Sequence, residues 1–426
     1  MISPYFRTDA PLNVSQLTPL VDAPPDSSCE LCVIIPVRNE AALLSCTLQR
    51  LTYQQDLFAR PLAHARYEII LLANNCTDDS ARIARRHARE HPTLRLHVVE
   101  RDFHKTRAHV GTARRMLMDE ACRRLTKRGR SVIASTDGDT LVSETWIAAT
   151  IAEIKIGADA VGGRILLSPQ ARQTLTRNAY RYHTQDEQYR LLAATLESLR
   201  DPLAHDPAPH HQHFGASFAV TAEAYRKAGG VPAVAFLEDV AFYERLRSVD
   251  ARFRHSRSVQ VETSARTHGR VPIGLSQQLD EWTKMNRAGA SLRVESAARI
   301  ERRAHLCRRL RALWLAKRST HNEVSYEADK LACDSGVDAR WLREQLSSSS
   351  AFGAFVMEFE RLCEARMVET LVEVVSAIGE LLERIAALRT GREAFSLPNG
   401  FSAQALEEIE PVVFSAPVYK MSQRGF

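Results

Sequence analysis

Residues 134–141 read ASTDGDTL and follow the apolar start SVI, so Asp137 and Asp139 stand one glycine apart. On an extended backbone, residues i and i+2 point the same way, and a glycine between them lets the chain bend tightly. Two like charges this close repel, and each prefers water. Convergent carboxylates at the end of an apolar strand therefore suit a hard divalent cation, Mn²⁺ or Mg²⁺, which keeps positions open for phosphate oxygens. The plainer alternative is an Asp-Gly turn closing a strand. Further on, FLEDVAFYERL puts Glu238 and Asp239 at a helix start, where the dipole and free N–H groups favour anions. One carboxylate there is an ordinary cap. A second can serve as general base if a substrate hydroxyl comes within reach. IIPVRNE and LLANNCTDDS supply Asn39, Glu40, Asn74 and Asn75, whose donors and acceptors could read a nucleobase and ribose. Asn39 also stands where a helix cap belongs.

These groups need elements to hold them. LCVIIP (31–36), YEIILLA (67–73), LRLHVV (94–99) and SVIAST (131–136) are short apolar runs separated by helix-patterned stretches, the second of which is capped near Thr77 or Asp78. Apolar strands with intervening helices predict a mostly parallel α/β sheet covered on both faces. Ligands in such sheets collect at the carboxyl ends of the strands, where the DGD stands. ADAVGGRILL (158–167) adds a fifth strand, and a long polar helix is expected over roughly 170–200. FGASFAV comes next, and SVQVETSA (258–265) is expected as the last strand. Beyond about residue 275 the pattern is helical. The division expected is an irregular arm over 1–28, a catalytic domain over 29–275 and a helical region over 276–426.

The order VIIPVRNEAALLSCTLQRL, EIILLANNCTDDSA, HVGTARRMLMDEA, VIASTDGDTLVSETWI, GASFAVTAEAYRKAGG, LEDVAFYERL resembles the family-2 inverting glycosyltransferases of GT-A fold, over about residues 31–265. The resemblance implies transfer of a sugar from a nucleotide-diphosphate donor to an acceptor hydroxyl, with Mn²⁺ or Mg²⁺. By matching position it implies Pro36, Glu40, Asn74, Arg114 and Asp137 as donor-nucleotide contacts, and Asp139 with Asp137 as metal ligands. It further implies Asp239 as the base, with Glu238 orienting the acceptor, and His268 as a candidate third metal ligand. Two departures stand out. Asn74 occupies the place of the family's usual uracil-contacting Asp, and an amide donates as well as accepts. Gln278 and Trp282 keep the spacing of the Gln-x-x-Arg-Trp motif of processive synthases, but Glu281 replaces its arginine. Processive synthesis with export is not expected.

The 426 residues are 45% hydrophobic and 25% charged with a formal net charge of +6, an ordinary globular balance that fits an anionic ligand or surface without choosing one. Cys29 and Cys32 have the spacing of half a zinc knuckle, but no second CxxC completes it, so buried thiols are expected. No run reaches 18 apolar residues and no secretory leader is legible, which leads to an expected cytoplasmic protein, peripheral at a membrane if its acceptor is lipid-linked rather than a small molecule. His205, His210, His211 and His213 read as a solvated loop bordering the acceptor side. The basic stretch 299–318 reads as a solvated face or a contact for anionic lipid, with nucleic acid the poorer partner because aromatics are sparse. The apolar stripe Leu371–Leu388 is expected in core or in an oligomer interface. Two rivals remain: a non-catalytic scaffold binding RNA or anionic membrane, which should have lost the DGD and LED, and a nucleotidyltransferase, which wants a glycine-rich phosphate loop that PVRNEAALL lacks.

Overall fold

Every residue of Leu31–Val37 (β1) and Tyr67–Asn74 (β2) is buried, as strands covered on both faces must be. The computed structural model describes residues 11–125, 130–264, 274–285, 291–316, 321–366 and 371–392. The chain divides into Met1–Ile385, which contains both sheets, and Ala386–Phe426, of which only the end of a helix is described.

One large sheet runs through the first unit. Its further strands are Arg95–Arg101 (β3), Val132–Ser135 (β4), Leu141–Val142 (β5), Ala160–Leu167 (β6), Phe218–Thr221 (β7) and Phe253–Thr263 (β8). The order is β3-β2-β1-β4-β7-β6-β8-β5. The first four are parallel, β7 runs against both neighbours, β6 and β8 are parallel, and β5 pairs antiparallel with β8. The connecting helices are Leu44–Thr52 (α1), Ser80–Glu90 (α2), Val110–Leu125 (α3), Trp146–Lys155 (α4), Pro169–Thr174 (α5), Arg177–Arg200 (α6), Ala222–Lys227 (α7) and Glu238–Ser248 (α8).

Alternate side chains of β1 serve opposite faces. Leu31, Val33 and Ile35 meet Leu44 and Leu48 of α1 and Trp146 of α4. Cys32 and Ile34 meet Leu117 and Cys122 of α3 and Phe242 and Leu246 of α8. Cys29 and Cys32 are buried free thiols, as expected. The parallel block thus puts the ends of β1, β2 and β4 along one edge.

The C-terminal region is helical: Leu275–Met285 (α9), Ala297–Ala316 (α10), His321–Ser335 (α11), Ala339–Ser348 (α12), Phe352–Glu364 (α13) and Val374–Arg392 (α14), with a two-stranded ribbon of Arg293–Glu295 (β9) and Leu371–Glu373 (β10). Leu310, Leu331, Leu342, Phe355 and Phe359 form its own core.

Three expectations need correction. The long helix is two: Leu175 is extended, and the Thr176 hydroxyl accepts from Ala179 N to start α6 anew. The basic stretch is not a solvated face. Arg303 pairs with Glu197 and Glu295, Arg311 with Asp201, Arg299 with Glu295 and Arg309 with Asp334, so these arginines join α10 to α6 and to its own neighbours. The histidine loop is packed rather than solvated. His210 is 1% exposed, His211 meets Glu187 at 3.0 Å, and His213 stacks on Tyr243 of α8 at 4.0 Å.

Candidate active site

β4 ends at Ser135, and Asp137–Thr140 is a tight turn closed by Thr140 N donating to Asp137 O at 3.2 Å. The two aspartates therefore sit across a turn, not along a strand. Thr47 of α1 donates to Gly138 O at 3.1 Å, and a Cβ at Gly138 would lie 3.1 Å from both Glu40 Cγ and Val37 Cγ2. Glu40 thus packs directly on the DGD turn, and its own N donates to Ser80 Oγ at 2.7 Å.

Arg114 of α3 is the hub, 5% exposed. Its Nη2 donates to Asp137 Oδ1 at 2.9 Å and its Nε to Glu238 Oε1 at 2.8 Å. Its Nη1 donates to Gly215 O at 3.1 Å and to the Ser135 hydroxyl. Gly215 N in turn donates to Asp239 Oδ2 at 2.8 Å, and Val240 N donates to Asp239 Oδ1 at 2.8 Å. Asp137, Glu238 and Asp239, remote in sequence, are thereby brought round one guanidinium. Asp139 points to Ser264, whose Oγ donates to its Oδ2 at 3.0 Å.

The electrostatics arise from four carboxylates around one arginine. Burial works against the Arg114 charge, but Asp137, Glu238 and Asp239 outweigh it and hold its pKa above the ordinary value. Burial, then the charges of Asp139 and Asp239, push the Asp137 carboxyl up against the pull of Arg114. Burial, then Asp239, likewise raise Glu238. Asp239 is half-buried, while Glu238 is inside.

The backbone that delivers the acid pair is strained. Leu237, immediately before α8, is left-handed (φ 57°). Gly111 of α3 lets the preceding loop approach, since a Cβ there would lie 1.9 Å from Val234 O. Asn39 and Asn75 are left-handed as well (φ 56° and 49°), and their amides are engaged by the loops. Asn39 accepts from Thr77 N at 2.7 Å, and Asn75 bonds both the N–H and the carbonyl of Phe103. Asn39 therefore does not cap α1, which begins at Leu44 without a side-chain cap. Nor is α2 capped from Thr77 or Asp78 as expected: it follows Asp79 without a side-chain cap, and Asp78 accepts from Ser80 N at 3.0 Å in the turn before it. Asn74 is 3% exposed at the end of β2, and Pro36 is buried within β1 opposite Leu72. His268 lies outside the described residues.

Among the described residues no three His, Cys, Asp or Glu side chains form a group able to hold a metal by themselves. The donor set still fits a hard cation. Asp137 and Asp139 are half-buried carboxylates with more negative charge about them than Arg114 balances, and a nucleotide's phosphate oxygens would supply the further ligands. Ser135, Gly215 and Ser264 carry no sequence signal of their part in the site. Gly215 stands in view in FGAS, but nothing local shows that its two backbone polar groups serve Arg114 and Asp239.

Residues 32–211 match the family model described as Glycosyl transferase family 2. No curated protein matches the chain. Among solved structures, the mannosyltransferase PcManGT from Pyrobaculum calidifontis, in complex with GDP-Man and Mn²⁺, is 16% identical with a TM-score of 0.39, covering 88% of this chain and 90% of that one. S. aureus TarS 1–349 with UDP-GlcNAc is 13% identical with a TM-score of 0.39, covering 79% and 91%. M. tuberculosis glucosyl-3-phosphoglycerate synthase with UDP is 14% identical with a TM-score of 0.35, covering 63% and 85%. Likenesses this distant add nothing to the family match. That match marks residues 32–211 as similar to the Glycosyl transferase family 2 domain.

Proposed function

We propose that the chain is a metal-dependent inverting transferase, moving a sugar from a nucleotide-diphosphate donor to an acceptor hydroxyl. The observation that carries this reading is the gathering of Asp137, Glu238 and Asp239 about Arg114 and Gly215. Asp239, half-buried and oriented by two backbone N–H groups, takes the proton of the acceptor hydroxyl as it attacks the anomeric carbon. Glu238 is held inside by Arg114 and fixes the start of α8. Asp137 and Asp139 would hold Mn²⁺ or Mg²⁺, which when bound neutralises charge on the departing diphosphate. Glu40, Asn74 and Pro36 line the strand ends where the nucleoside would lie, and Arg114 acts on it through Asp137. The catalytic part spans 29–275, followed by 276–426 as the helical C-terminal region. No helix among the described residues is long and apolar enough to cross a membrane. We place the reaction in the cytoplasm, with a lipid-linked or small-molecule acceptor met at the end of the sheet.

Two substitutions test the roles. Asp139→Ala should abolish Mn²⁺-dependent binding of UDP and GDP, followed by thermal shift with and without EDTA. Asp239→Asn should bind within about twofold of the parent yet lose turnover by about 10²-fold or more. Near-full turnover by Asp239→Asn would mean that another group takes the proton.

A further inference from the structure

The helix that presents Asp239 is gripped at its far end by the C-terminal bundle. Arg247, in the last turn of α8, pairs with Glu360 of α13 through Nη2 at 3.0 and 3.2 Å. Just beyond α8, Asp250 is left-handed (φ 57°), and its carboxylate accepts from Phe352 N at 3.1 Å and Gly353 N at 2.6 Å. It therefore caps α13, whose first N–H groups have no partner within their own helix. Gly353 is required for this approach, because a Cβ there would lie 1.8 Å from Arg247 O. Cys307 of α10 also donates to Glu360, and α13 is fixed in its bundle by Phe355 and Phe359. On its remaining sides α8 is held by Phe242 and Leu246 in the sheet core and by the stack of Tyr243 on His213.

We propose that the C-terminal bundle sets the position of the acid pair through α13, with Arg247, Asp250, Gly353 and Glu360 as positioning residues for Asp239. The proposal rests on the transferase reading above. A helix is stiff along its axis, so a clamp at Arg247 fixes where Glu238 and Asp239 stand against Arg114 and Gly215. Release of the clamp lets the first turn rock, and a displacement of about 1 Å at the reacting groups is enough to cost about 10²-fold in rate. Donor binding changes less than turnover, because the DGD turn is also held from α1, where Thr47 donates to Gly138 O at 3.1 Å.

The test uses the full chain with Glu360→Gln, Gly353→Ala and the exchanged pair Arg247→Glu with Glu360→Arg. Turnover is read as release of nucleoside diphosphate from a panel of UDP- and GDP-sugars, binding with Mn²⁺ and UDP or GDP, and local opening by amide hydrogen exchange. The single variants should lower kcat by about tenfold or more with nucleotide affinity within about twofold, and should raise exchange in 237–243 as well as in α13. The exchanged pair should recover most of the loss, as coupled charges do. Should Gly353→Ala fail to fold, Glu360→Gln and the exchanged pair decide. Exchange raised in α13 alone, with kcat within about twofold of the parent, overturns the proposal while leaving Asp239 as base. Activity in Asp239→Asn would instead sink the base assignment, and the exchange coupling between α13 and 237–243 would still judge the clamp.

Discussion

Gly215 carries more of the site than its size suggests. Its carbonyl accepts from Arg114 and from Ser135, and its N–H holds Asp239. A Cβ there would lie 2.4 Å from Arg114 Cζ and 2.5 Å from Nη2, inside any real contact distance. The guanidinium cannot retreat without leaving Asp137 or Glu238 buried and less well paired, which is costly. Gly215→Ala is therefore expected to destabilise the fold by about 1–3 kcal/mol, the usual range for overpacking. Turnover should fall further than stability predicts, by about 10²-fold at a temperature where the variant is fully folded. Urea denaturation beside single-turnover measurement checks the pair. A variant that loses stability but keeps its rate would show that Arg114 is scaffolding only.

The acid pairs stood out because two carboxylates at one strand or helix end ask for a partner, although the DGD also proves to be the plainer Asp-Gly turn. Their hub did not: Arg114 meets Glu238 only because α3 and α8 cover the same face of the sheet. β1 and β2 were legible because burial on both faces leaves an unbroken apolar run. β5, two residues long, gives no such run, and β8 extends back to Phe253 through the polar stretch RHSRS. Composition misled at 205–213. Pro, Asp and His suggest water, but the burial of that loop comes from α6, β8 and α8, whose approach no local pattern encodes. The same burial makes a titration prediction. Burial, then His255, holds His210 down at about 2 and His213 at about 3. Both pKa values lie below the unfolded value of about 6.5, so their stabilising contribution is whole above that pH. It is lost as pH falls toward the folded values, at up to about 1.4 kcal/mol per pH unit for each histidine. His213→Phe keeps a ring on Tyr243 and removes one proton from the balance. Its urea midpoint should fall less steeply than the parent's between about pH 6.5 and 4. An unchanged slope would place the titration elsewhere.

The edge of the sheet remote from the site holds the opposite kind of charge, one that is buried and satisfied. Glu68, at the start of β2 and fully buried, accepts from Arg124 Nε at 2.7 Å and Nη2 at 2.6 Å. Arg124 also donates to Ala23 O at 2.7 Å, and Val21 N donates to Glu120, so this pair ties the irregular N-terminal arm to α3. Burial alone would raise the Glu68 pKa, but Arg124 and then His97 overcome it and hold the carboxyl at about 2. A carboxylate held below its unfolded value of about 4.5 stabilises the fold above that pH and ceases to as pH falls toward 2, a contribution of about 3 kcal/mol. The histidine window runs from about pH 6.5 down toward 3 and 2, and the Glu68 window, the second, opens inside it below about 4.5, so acid unfolding should steepen there. Glu68→Gln leaves Arg124 charged and buried with carbonyls as its chief partners, which is expected to cost about 3–5 kcal/mol at neutral pH. The second window should vanish in that variant, whereas Mn²⁺-dependent binding of UDP or GDP should stay within about twofold of the parent, because the site lies at the opposite ends of the strands. Acid denaturation followed by far-UV circular dichroism measures both windows. A Glu68→Gln protein whose acid limb below pH 4.5 matches the parent's would show that the buried pair is not what titrates there.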